Sequence, residues 1–259
     1  MPTNTTLKSL TASPAVLQSL PLLQTQEIKR YIGEIKTDLA IFKTIKQADE
    51  VYGKFSAPSK MPGWGYGLPS SKCKTGGELR YVEGSVCYSC YAADSWDWAK
   101  QGGHHSNYPW KNVKSANQRR FNSLTNELWV PAIVFSILKR KCEEFRWHDS
   151  GDLQSVNHLY NICKVCENTP STKHWLPTRE YAIVDASDFD FPENLCVRVS
   201  AHMIGKSAPM RFANTSVVVD DPSGYIHVCP VTTDDNRKSC DNCRNCWDKS
   251  ISTIAYVRH

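Results

Sequence analysis

The sequence predicts an α/β protein, namely a partial or irregular (β/α) barrel with an N-terminal helical extension and Cys-rich metal-binding loops. Three observations predict this fold. Short apolar segments alternate with helical or loop crossovers after residue 143, as parallel strands do. Polar residues follow most of these segments, where the strands of an α/β barrel form its active face. Most of the 11 cysteines fall into two loop-like clusters.

The N-terminal part predicts an extension to this core. Residues 1–23 are rich in Thr, Ser, Leu and Pro without a regular period, which indicates a flexible or loosely docked arm. From Gln24 to Ala48 the apolar residues recur at three and four positions, which predicts an amphipathic helix or a bent pair of helices. We therefore assign residues 1–52 to the arm and helix, and residues 53–259 to the barrel-like domain.

The middle of the chain predicts two consecutive helices over residues 111–141. The second is expected to begin near Pro131, because proline is tolerated in a first helical turn and not in an interior. Its last turn carries three cations that suit the C-terminal end of a helix dipole, namely Lys139, Arg140 and Lys141.

The rest of the chain alternates between strand-like and helix-like segments. A helix is predicted over Ser155–Glu167, with Ser155 as its N-cap. The crossovers after Arg179 and Ala201 are short and poorly helical, which favours an irregular barrel over a regular eightfold one. The predicted strands are Glu144–His148, His174–Thr178, Leu195–Ala201, Thr215–Asp220 and Tyr225–Val228.

The C-terminal cysteines form the most specific motif of the chain. Cys229, Cys240, Cys243 and Cys246 follow the spacing C-x10-C-x2-C-x2-C. Three thiolates within seven residues are typical of ferredoxin-type loops, so the run favours an iron–sulfur cluster. The alternative is a structural zinc ion, although zinc sites usually combine two C-x2-C pairs or bring histidines at matched spacing.

A second cluster precedes it in the chain, with the spacing C-x13-C-x2-C. Cys73, Cys87 and Cys90 would leave one corner of a cubane cluster without a protein ligand, and substrate or cofactor chemistry could occur at that open iron. The alternative is that a fourth cysteine from elsewhere closes the site. Cys163 and Cys166 also form a C-x2-C pair, but they lie within a helical apolar pattern and are predicted to be core residues.

Polar residues at the predicted strand ends supply candidates for a site. His148 is a candidate general acid or base, Asp149 and Asp152 could bind an ammonium group, and Arg179 could clamp a carboxylate. The alternatives are helix capping by Ser150 or Asp152 and an ion pair for Arg179. We assign catalytic roles to His148, Asp149, Asp152 and Arg179, and cofactor contacts to Ser150, Gly151 and Thr178.

Composition limits the class of protein. The formal net charge of +5 is too weak to argue for nucleic-acid binding by itself. The N-terminus lacks the pattern of a signal peptide, and no apolar stretch approaches the ~18 residues of a membrane helix. Clustered thiols without an export signal predict metal binding in a reducing compartment, and hence a cytoplasmic location.

Several of these motifs resemble one family of bacteriophage proteins, called gene product 88, over roughly residues 60–258. This resemblance implies a viral protein in the host cytoplasm, and an iron–sulfur barrel similar to the radical S-adenosylmethionine fold. It does not imply a particular reaction. The motifs are Trp64–Pro69, Cys87-x2-Cys90-Tyr91-Ala92, His148-Asp149-Ser150-Gly151-Asp152, Thr178-Arg179 and Cys240-x2-Cys243-x2-Cys246-Trp247.

Together these features predict a viral iron–sulfur protein with one or two [4Fe–4S] clusters. One expectation is a radical S-adenosylmethionine-type enzyme that acts on a small molecule or host factor and takes electrons from a donor. A second is a non-enzymatic electron-transfer or redox-sensing protein with closed clusters. A third is a zinc-stapled binder of nucleic acid or a host factor, whose basic residues would be Lys111, Lys114, Arg119 and Arg120.

Overall fold

The structure is a computed structural model, and it describes residues 39–88, 90, 92, 111–234, 237 and 239–258. The predicted arm at residues 1–23 lies outside these ranges, as does the predicted helix up to residue 38. The chain divides into two compact units, Met1–Lys43 and Thr44–His259. The following account concerns the second unit.

The core of this unit is a six-stranded sheet in which every neighbouring pair is parallel. The strands lie in the same order in the sheet as in the chain, which confirms the predicted α/β class. They are β1 (Trp64–Tyr66), β2 (Glu144–Trp147), β3 (Lys173–Thr178), β4 (Leu195–Ser200), β5 (Thr215–Val219) and β6 (Thr253–Val257).

The sheet is open, and a closed barrel is not found within the described ranges. A closed barrel requires its first and last strands to pair with each other, whereas β1 pairs only with β2 and β6 only with β5. Short chain segments lie along these two edges instead. Ser56 forms an antiparallel bridge to Gly65 at β1, and Val228 forms a parallel bridge to Ala255 at β6.

The predicted strands beginning at residues 144, 174, 195 and 215 match β2 to β5 within one residue at each end. The segment Tyr225–Val228 is not a strand, because it has an edge position and contributes only the single bridge at Val228. Its place in the sheet is taken by β6, which the sequence did not predict. The two edge strands β1 and β6 were both missed, since neither shows a clear alternation of polar and apolar residues.

Seven α-helices are assigned in the part of the chain that the structure describes. They are α1 (Ile45–Tyr52), α2 (Thr75–Leu79), α3 (Lys111–Ser123), α4 (Trp129–Arg140), α5 (Val156–Glu167), α6 (Tyr181–Asp185) and α7 (Pro230–Thr233). The Ser155 side chain caps α5 by accepting a hydrogen bond from the His158 amide, as predicted. The two helices expected over residues 111–141 are α3 and α4, and Pro131 lies in the first turn of α4.

Helix α1 begins later than the sequence pattern suggested. The Thr44 hydroxyl accepts from the Gln47 amide while the Gln47 side chain accepts from the Thr44 amide, which is a capping box. A capping residue has non-helical backbone angles, and Thr44 is extended. A single continuous helix over Gln24–Ala48 is therefore wrong at residue 44, and a new helix starts at Ile45.

One face of the sheet carries an aromatic core. Phe145 and Trp147 of β2 lie next to His174 of β3 and Tyr66 of β1. The Trp129 indole N–H of α4 donates to the Tyr66 hydroxyl (3.0 Å). Because successive strand residues point to opposite faces, the intervening residues lie on the other face, which we call the inner face. It carries Arg146, Trp175, Cys196 and Arg198.

We expect acid to destabilise the fold through its buried histidines. Burial lowers the pKa of His158 and of His174 to about 3, while an unfolded histidine titrates near 6.5. Between these values the unfolded chain binds the extra protons, so stability is lost as pH falls from about 6.5 towards 3. Each histidine should contribute a slope of roughly 1.4 kcal/mol per pH unit.

Urea unfolding of wild type and His158→Phe over this pH range checks the expectation. The variant should show the shallower loss of unfolding free energy, by the equivalent of one proton. Equal slopes for the two proteins would show that His158 does not titrate with unfolding.

Candidate metal centres

The four C-terminal cysteines lie around one small cavity. Its lining consists of Cys229, Cys240, Cys243 and Cys246 together with apolar groups, among them Val228, Trp247 and Ile254. The four residues span 18 positions of the chain but converge because Cys229 is bonded to β6 and Cys240 to the segment that precedes β1. The Cys229 amide donates to the Ala255 carbonyl (2.8 Å), and the Cys240 amide donates to the Lys60 carbonyl (2.8 Å).

A tryptophan and an ion pair hold this loop against the inner face of the sheet. The Trp247 indole N–H donates to the Phe145 carbonyl oxygen (3.0 Å), and its ring meets that of Trp175 edge-on with centroids 5.1 Å apart. The Arg244 guanidinium binds the Glu144 carboxylate at 2.6 Å. These contacts, which do not involve sulfur, place the cysteine loop against the sheet.

Burial disfavours the thiolate form of two of these cysteines. Burial raises the pKa of Cys246 to about 12, partly offset by a hydrogen bond to the Tyr256 hydroxyl at 3.2 Å. Burial also raises the pKa of Cys240, and the neighbouring Cys229 and Cys243 raise it further. Since thiolates are the species that bind metal, occupation of this cavity has to displace protons.

The donor set fits an iron–sulfur cluster. It consists of four sulfur ligands in an apolar setting, which suits iron–sulfur clusters and zinc. Within the described ranges, no three His, Cys, Asp or Glu side chains are grouped so that they could hold a single metal ion. The residues that line the cavity therefore suit both kinds of four-thiolate centre.

The early cysteines lie at the opposite location, beyond the carboxyl ends of the strands. Cys73 follows β1 through the short 3₁₀ helix Ser70–Lys72. A Cβ atom placed on Gly76 would lie 3.3 Å from the Cys87 sulfur and 3.8 Å from the Cys73 sulfur. The two sulfurs therefore flank the bare backbone of Gly76. Burial raises the pKa of Cys73 and that of Cys87, and the nearby Cys90 thiol raises both further, as groups close together do.

Glu180 attaches this loop to the end of β3. Its buried carboxylate accepts hydrogen bonds from the Lys74 amide (3.1 Å), the Thr75 amide (3.0 Å) and the Thr75 hydroxyl (2.8 Å). These donors immediately follow Cys73. The position of Cys73, which follows β1, therefore depends on a carboxylate that follows β3, two strands away in the sheet.

A second attachment places Cys87 at the end of β4. The Val86 amide donates to the His202 carbonyl (2.9 Å), and the Ile204 amide donates to the Gly84 carbonyl (2.9 Å). His202 is itself fixed, because its ring stacks on Tyr181 and its Nε2 donates to the Arg179 carbonyl (2.9 Å). The loop carrying the early cysteines is thus held between the ends of β3 and β4.

Two of the predicted catalytic residues lie beside these cysteines. Asp152 is buried and accepts from the Thr178 hydroxyl (2.6 Å) and the Arg179 amide (2.9 Å). Burial raises the pKa of Asp152 to about 6. Burial raises the pKa of Cys87, and the positive charge of the Arg179 guanidinium lowers it. Arg179 therefore lies near that sulfur. Its Nε is buried and has no hydrogen-bond partner in the described part of the chain.

His148 is placed differently. It is 3% exposed, adopts a left-handed backbone conformation (φ 59°), and lies with its ring centroid 5.2 Å from that of His158. Burial lowers the pKa of His148 well below its usual value. Neither ring nitrogen has a hydrogen-bond partner among the described residues. The arrangement brings His148 to α5 rather than to Asp152 and Arg179.

Residues 149–151, which follow His148, make contacts with neighbouring segments of the chain. Asp149 accepts from the Ser56 hydroxyl (3.4 Å) beside β1. The Ser150 hydroxyl donates to the Leu68 carbonyl (2.8 Å). Gly151 has a positive φ of 74°, and a Cβ atom there would lie 2.6 Å from the Leu68 Cβ. The space next to Gly151, expected from the sequence to admit a ligand, is therefore occupied by Leu68.

The C-x2-C pair of α5 belongs to the core. Cys163 and Cys166 lie in the core side of α5 with 2% and 0% exposure, in agreement with the structural role expected for them. Sequence reasoning overlooked three charged residues, namely Arg146, Glu180 and Arg198. One sequence pattern could have identified them, namely a charged residue within or directly after an apolar strand. It is clearest in the sequence Leu-Cys-Val-Arg-Val-Ser of β4.

The basic residues named for nucleic-acid binding do not form one accessible surface. Arg120 is 4% exposed, and its guanidinium donates to the Lys54 carbonyl (2.7 Å) and the Asn117 side chain (2.6 Å). It therefore helps to join α3 to the core. Lys114 and Arg119 of the same helix are not buried. The histidines and tryptophans of residues 93–110 lie outside the described residues.

Comparison with known proteins places the chain in a family. It matches the family model described as gene product 88 over residues 39–249, a range that includes both cysteine clusters. The chain belongs to the gene product 88 family of bacteriophage proteins. No curated protein and no solved structure matches it. None of the helices in the described ranges combines the length and apolar character needed to cross a bilayer.

We expect Glu180 to control the order of the early cysteine loop. Replacing Glu180 with Ala removes three hydrogen bonds to Lys74 and Thr75, each worth about 1 kcal/mol. Local opening should then become more frequent, and Cys73 should react with a thiol reagent at least roughly tenfold faster in the metal-free protein. Labelling followed by peptide mass spectrometry measures this rate.

The matched control is Glu78→Ala, which removes an exposed carboxylate from α2 itself. It should leave the labelling rate of Cys73 unchanged. Equal rates for Glu180→Ala and Glu78→Ala would show that the Glu180 contacts do not hold the loop.

Proposed function

We propose that this gene product 88 protein is an iron–sulfur protein with a closed [4Fe–4S] cluster at Cys229, Cys240, Cys243 and Cys246. The observation that carries the proposal is that all four residues line one cavity. Hydrogen bonds and an aromatic contact, rather than sulfur contacts, bring them there. Four thiolates can supply every corner of a cubane cluster.

The early cysteines support a second centre of a different kind. Cys73, Cys87 and Cys90 supply three thiolates beyond the carboxyl ends of the strands, where α/β proteins commonly bind substrates. A cluster held there would keep one iron open to an external ligand. The Gly76 backbone lies against two of the sulfurs and leaves room that a side chain would fill.

The polar residues beside this second centre suit a zwitterionic ligand such as S-adenosylmethionine. The Arg179 guanidinium can bind a carboxylate, and its buried Nε is available as a donor. Asp152 can accept from an ammonium group, although its two present donors occupy part of its capacity. When bound, a reduced cluster would supply the single electron that cleaves the sulfonium.

We place this activity in the host-cell cytoplasm. Free cysteines in clusters, rather than disulfides, are typical of reducing compartments. A reductive reaction also requires an electron donor of the host or the phage. The substrate of this reaction would be a small molecule or a host factor.

Cys243→Ser should cause loss of the C-terminal cluster. The substitution removes one of four ligands from the cavity, and metal binding to thiolates supplies much of the energy that orders such loops. After anaerobic expression, the variant should contain about four fewer iron and four fewer sulfide per chain than wild type. Iron, sulfide and zinc assays, with the visible absorption spectrum, measure the outcome.

The matched control is Cys163→Ala, which changes a buried cysteine of α5 outside both clusters. It should retain the iron and sulfide content of wild type. Wild-type protein that contains zinc and no sulfide would contradict the cluster assignment and support the zinc-stapled alternative.

Reduced protein with S-adenosylmethionine should yield 5′-deoxyadenosine and methionine. One electron breaks the sulfonium C–S bond, and the resulting adenosyl radical takes a hydrogen atom from a substrate or solvent component. Cys90→Ala should abolish this product because it removes a ligand of the open centre. Anaerobic assay by liquid chromatography measures the yield.

The C-terminal cluster should remain in Cys90→Ala, which separates loss of activity from general loss of metal. Cluster-replete wild type that neither binds nor cleaves S-adenosylmethionine would contradict the radical mechanism. The electron-transfer interpretation would then account for the two centres.

A further inference from the structure

Two arginines of the inner face lie behind the loop that forms the C-terminal cysteine cavity, and neither has a carboxylate partner in the described part of the chain. Arg146 lies on β2 and Arg198 on β4, and Trp175 of the intervening strand lies on the same face. Within the described ranges, neither guanidinium makes an ion pair with Asp or Glu. The other interior arginine that stacks on a tryptophan, Arg140, is paired with Asp49 at 2.9 Å.

Arg198 is completely buried. Its guanidinium donates only to neutral acceptors, which are the Cys196 sulfur and five carbonyl oxygens, those of Thr215, Asn245, Asp248, Ile251 and Ser252. These bonds engage both terminal nitrogens, while the buried Nε has no hydrogen-bond partner in the described part of the chain and the charge has no counterion. A buried charge without a counterion is costly. Two of the acceptors, at Asn245 and Asp248, lie on the loop that carries Cys246.

Arg146 approaches the cysteine loop from β2. Its guanidinium lies 4.6 Å from the centroid of the Trp175 ring, and one Nη donates to the Met61 sulfur (3.0 Å). Its Nε is buried without a hydrogen-bond partner in the described part of the chain. Met61 follows Lys60, whose carbonyl accepts from the Cys240 amide, and Trp175 contacts Trp247, which follows Cys246. Arg146 is thus one contact removed from two parts of the cysteine loop.

We propose that Arg146 and Arg198 are positioning residues that compensate the negative charge of a four-thiolate metal centre in the C-terminal cavity. The inference rests on the proposed function for the presence of that centre. Four thiolates around a [4Fe–4S] core carry a net charge of about −2 when oxidised and about −3 when reduced. The two positive charges of the guanidinium groups balance the charge of the oxidised cluster and stabilise the additional electron of the reduced cluster.

This arrangement has two consequences. The metal-free protein holds two cations without a carboxylate partner beside the cysteine loop, so the negative charge of a bound four-thiolate centre removes an electrostatic cost and each arginine strengthens its binding. Each arginine also raises the reduction potential of the cluster, because the added electron is attracted to the guanidinium. The Arg198 bonds additionally tie the cysteine loop to β5 and to the residues that precede β6.

Arg146→Gln tests the charge contribution with little change in the backbone contacts. Its C-terminal centre should bind Co²⁺ roughly tenfold more weakly than wild type. Titration of the thiolate-to-cobalt absorption against a competing chelator measures this affinity. In the iron-loaded protein, the ratio of reduced to oxidised cluster at a fixed ambient potential should fall roughly tenfold. Electrochemical titration followed by electron paramagnetic resonance measures this ratio.

Two substitutions that retain charge test the mechanism. Arg146→Lys should restore both the cobalt affinity and the reduced fraction towards wild type, because it returns the positive charge. Arg198→Lys should preserve the reduced fraction while lowering the thermal stability of the metal-free protein, because an ammonium group cannot reach all of the carbonyls. Arg198→Gln is less informative, since it would also leave those carbonyls without donors.

The matched control is Arg140→Gln, which removes a guanidinium of α4 that also stacks on a tryptophan, Trp64, but is paired with Asp49. It should leave cobalt affinity and the reduced fraction unchanged. Metal-loaded Arg146→Gln with the affinity and reduced fraction of wild type would overturn the inference and leave the proposed function intact. Wild type that takes up neither iron nor cobalt at these cysteines would overturn both.

Discussion

Parallel pairing of consecutive strands determines where the functional side chains of this protein lie. Because β1 to β6 follow one another in the sheet, every strand delivers its carboxyl end to the same edge and its alternate residues to the same inner face. The loop after β1 therefore meets the residues that follow β3 and β4, which are Glu180 and His202. The C-terminal loop returns across the inner face, where Trp247 contacts Trp175.

The two cysteine clusters use this frame in different ways. Cys73 and Cys87 lie at the edge of the sheet with a carboxylate and a guanidinium nearby, as suits a centre that must admit a ligand. The C-terminal four lie in an apolar cavity against the sheet, as suits a centre whose ligands all come from the protein. The two clusters are therefore held by contacts with different parts of the sheet.

Buried charge connects the sheet to both clusters. At the strand ends, Asp152 accepts from Thr178, whose hydroxyl in turn accepts from the Glu180 amide, and Glu180 holds the loop that follows Cys73. On the inner face, Arg198 joins the cysteine loop to the sheet through carbonyl oxygens. Asp152 and its neighbours at the strand ends, where catalytic residues are expected, thus also hold the early cysteine loop in place.

The sequence by itself determined the strands β2 to β5, the cap at Ser155 and the two cysteine clusters, because these features depend on local periodicity and on spacing along the chain. It also indicated that Cys163 and Cys166 belong to a helix core. Only the tertiary structure decided that the sheet stays open, that His148 turns towards α5, and that Arg146 and Arg198 face the cysteine cavity. These outcomes depend on which residues from distant parts of the chain meet across the sheet, and no local pattern encodes that pairing.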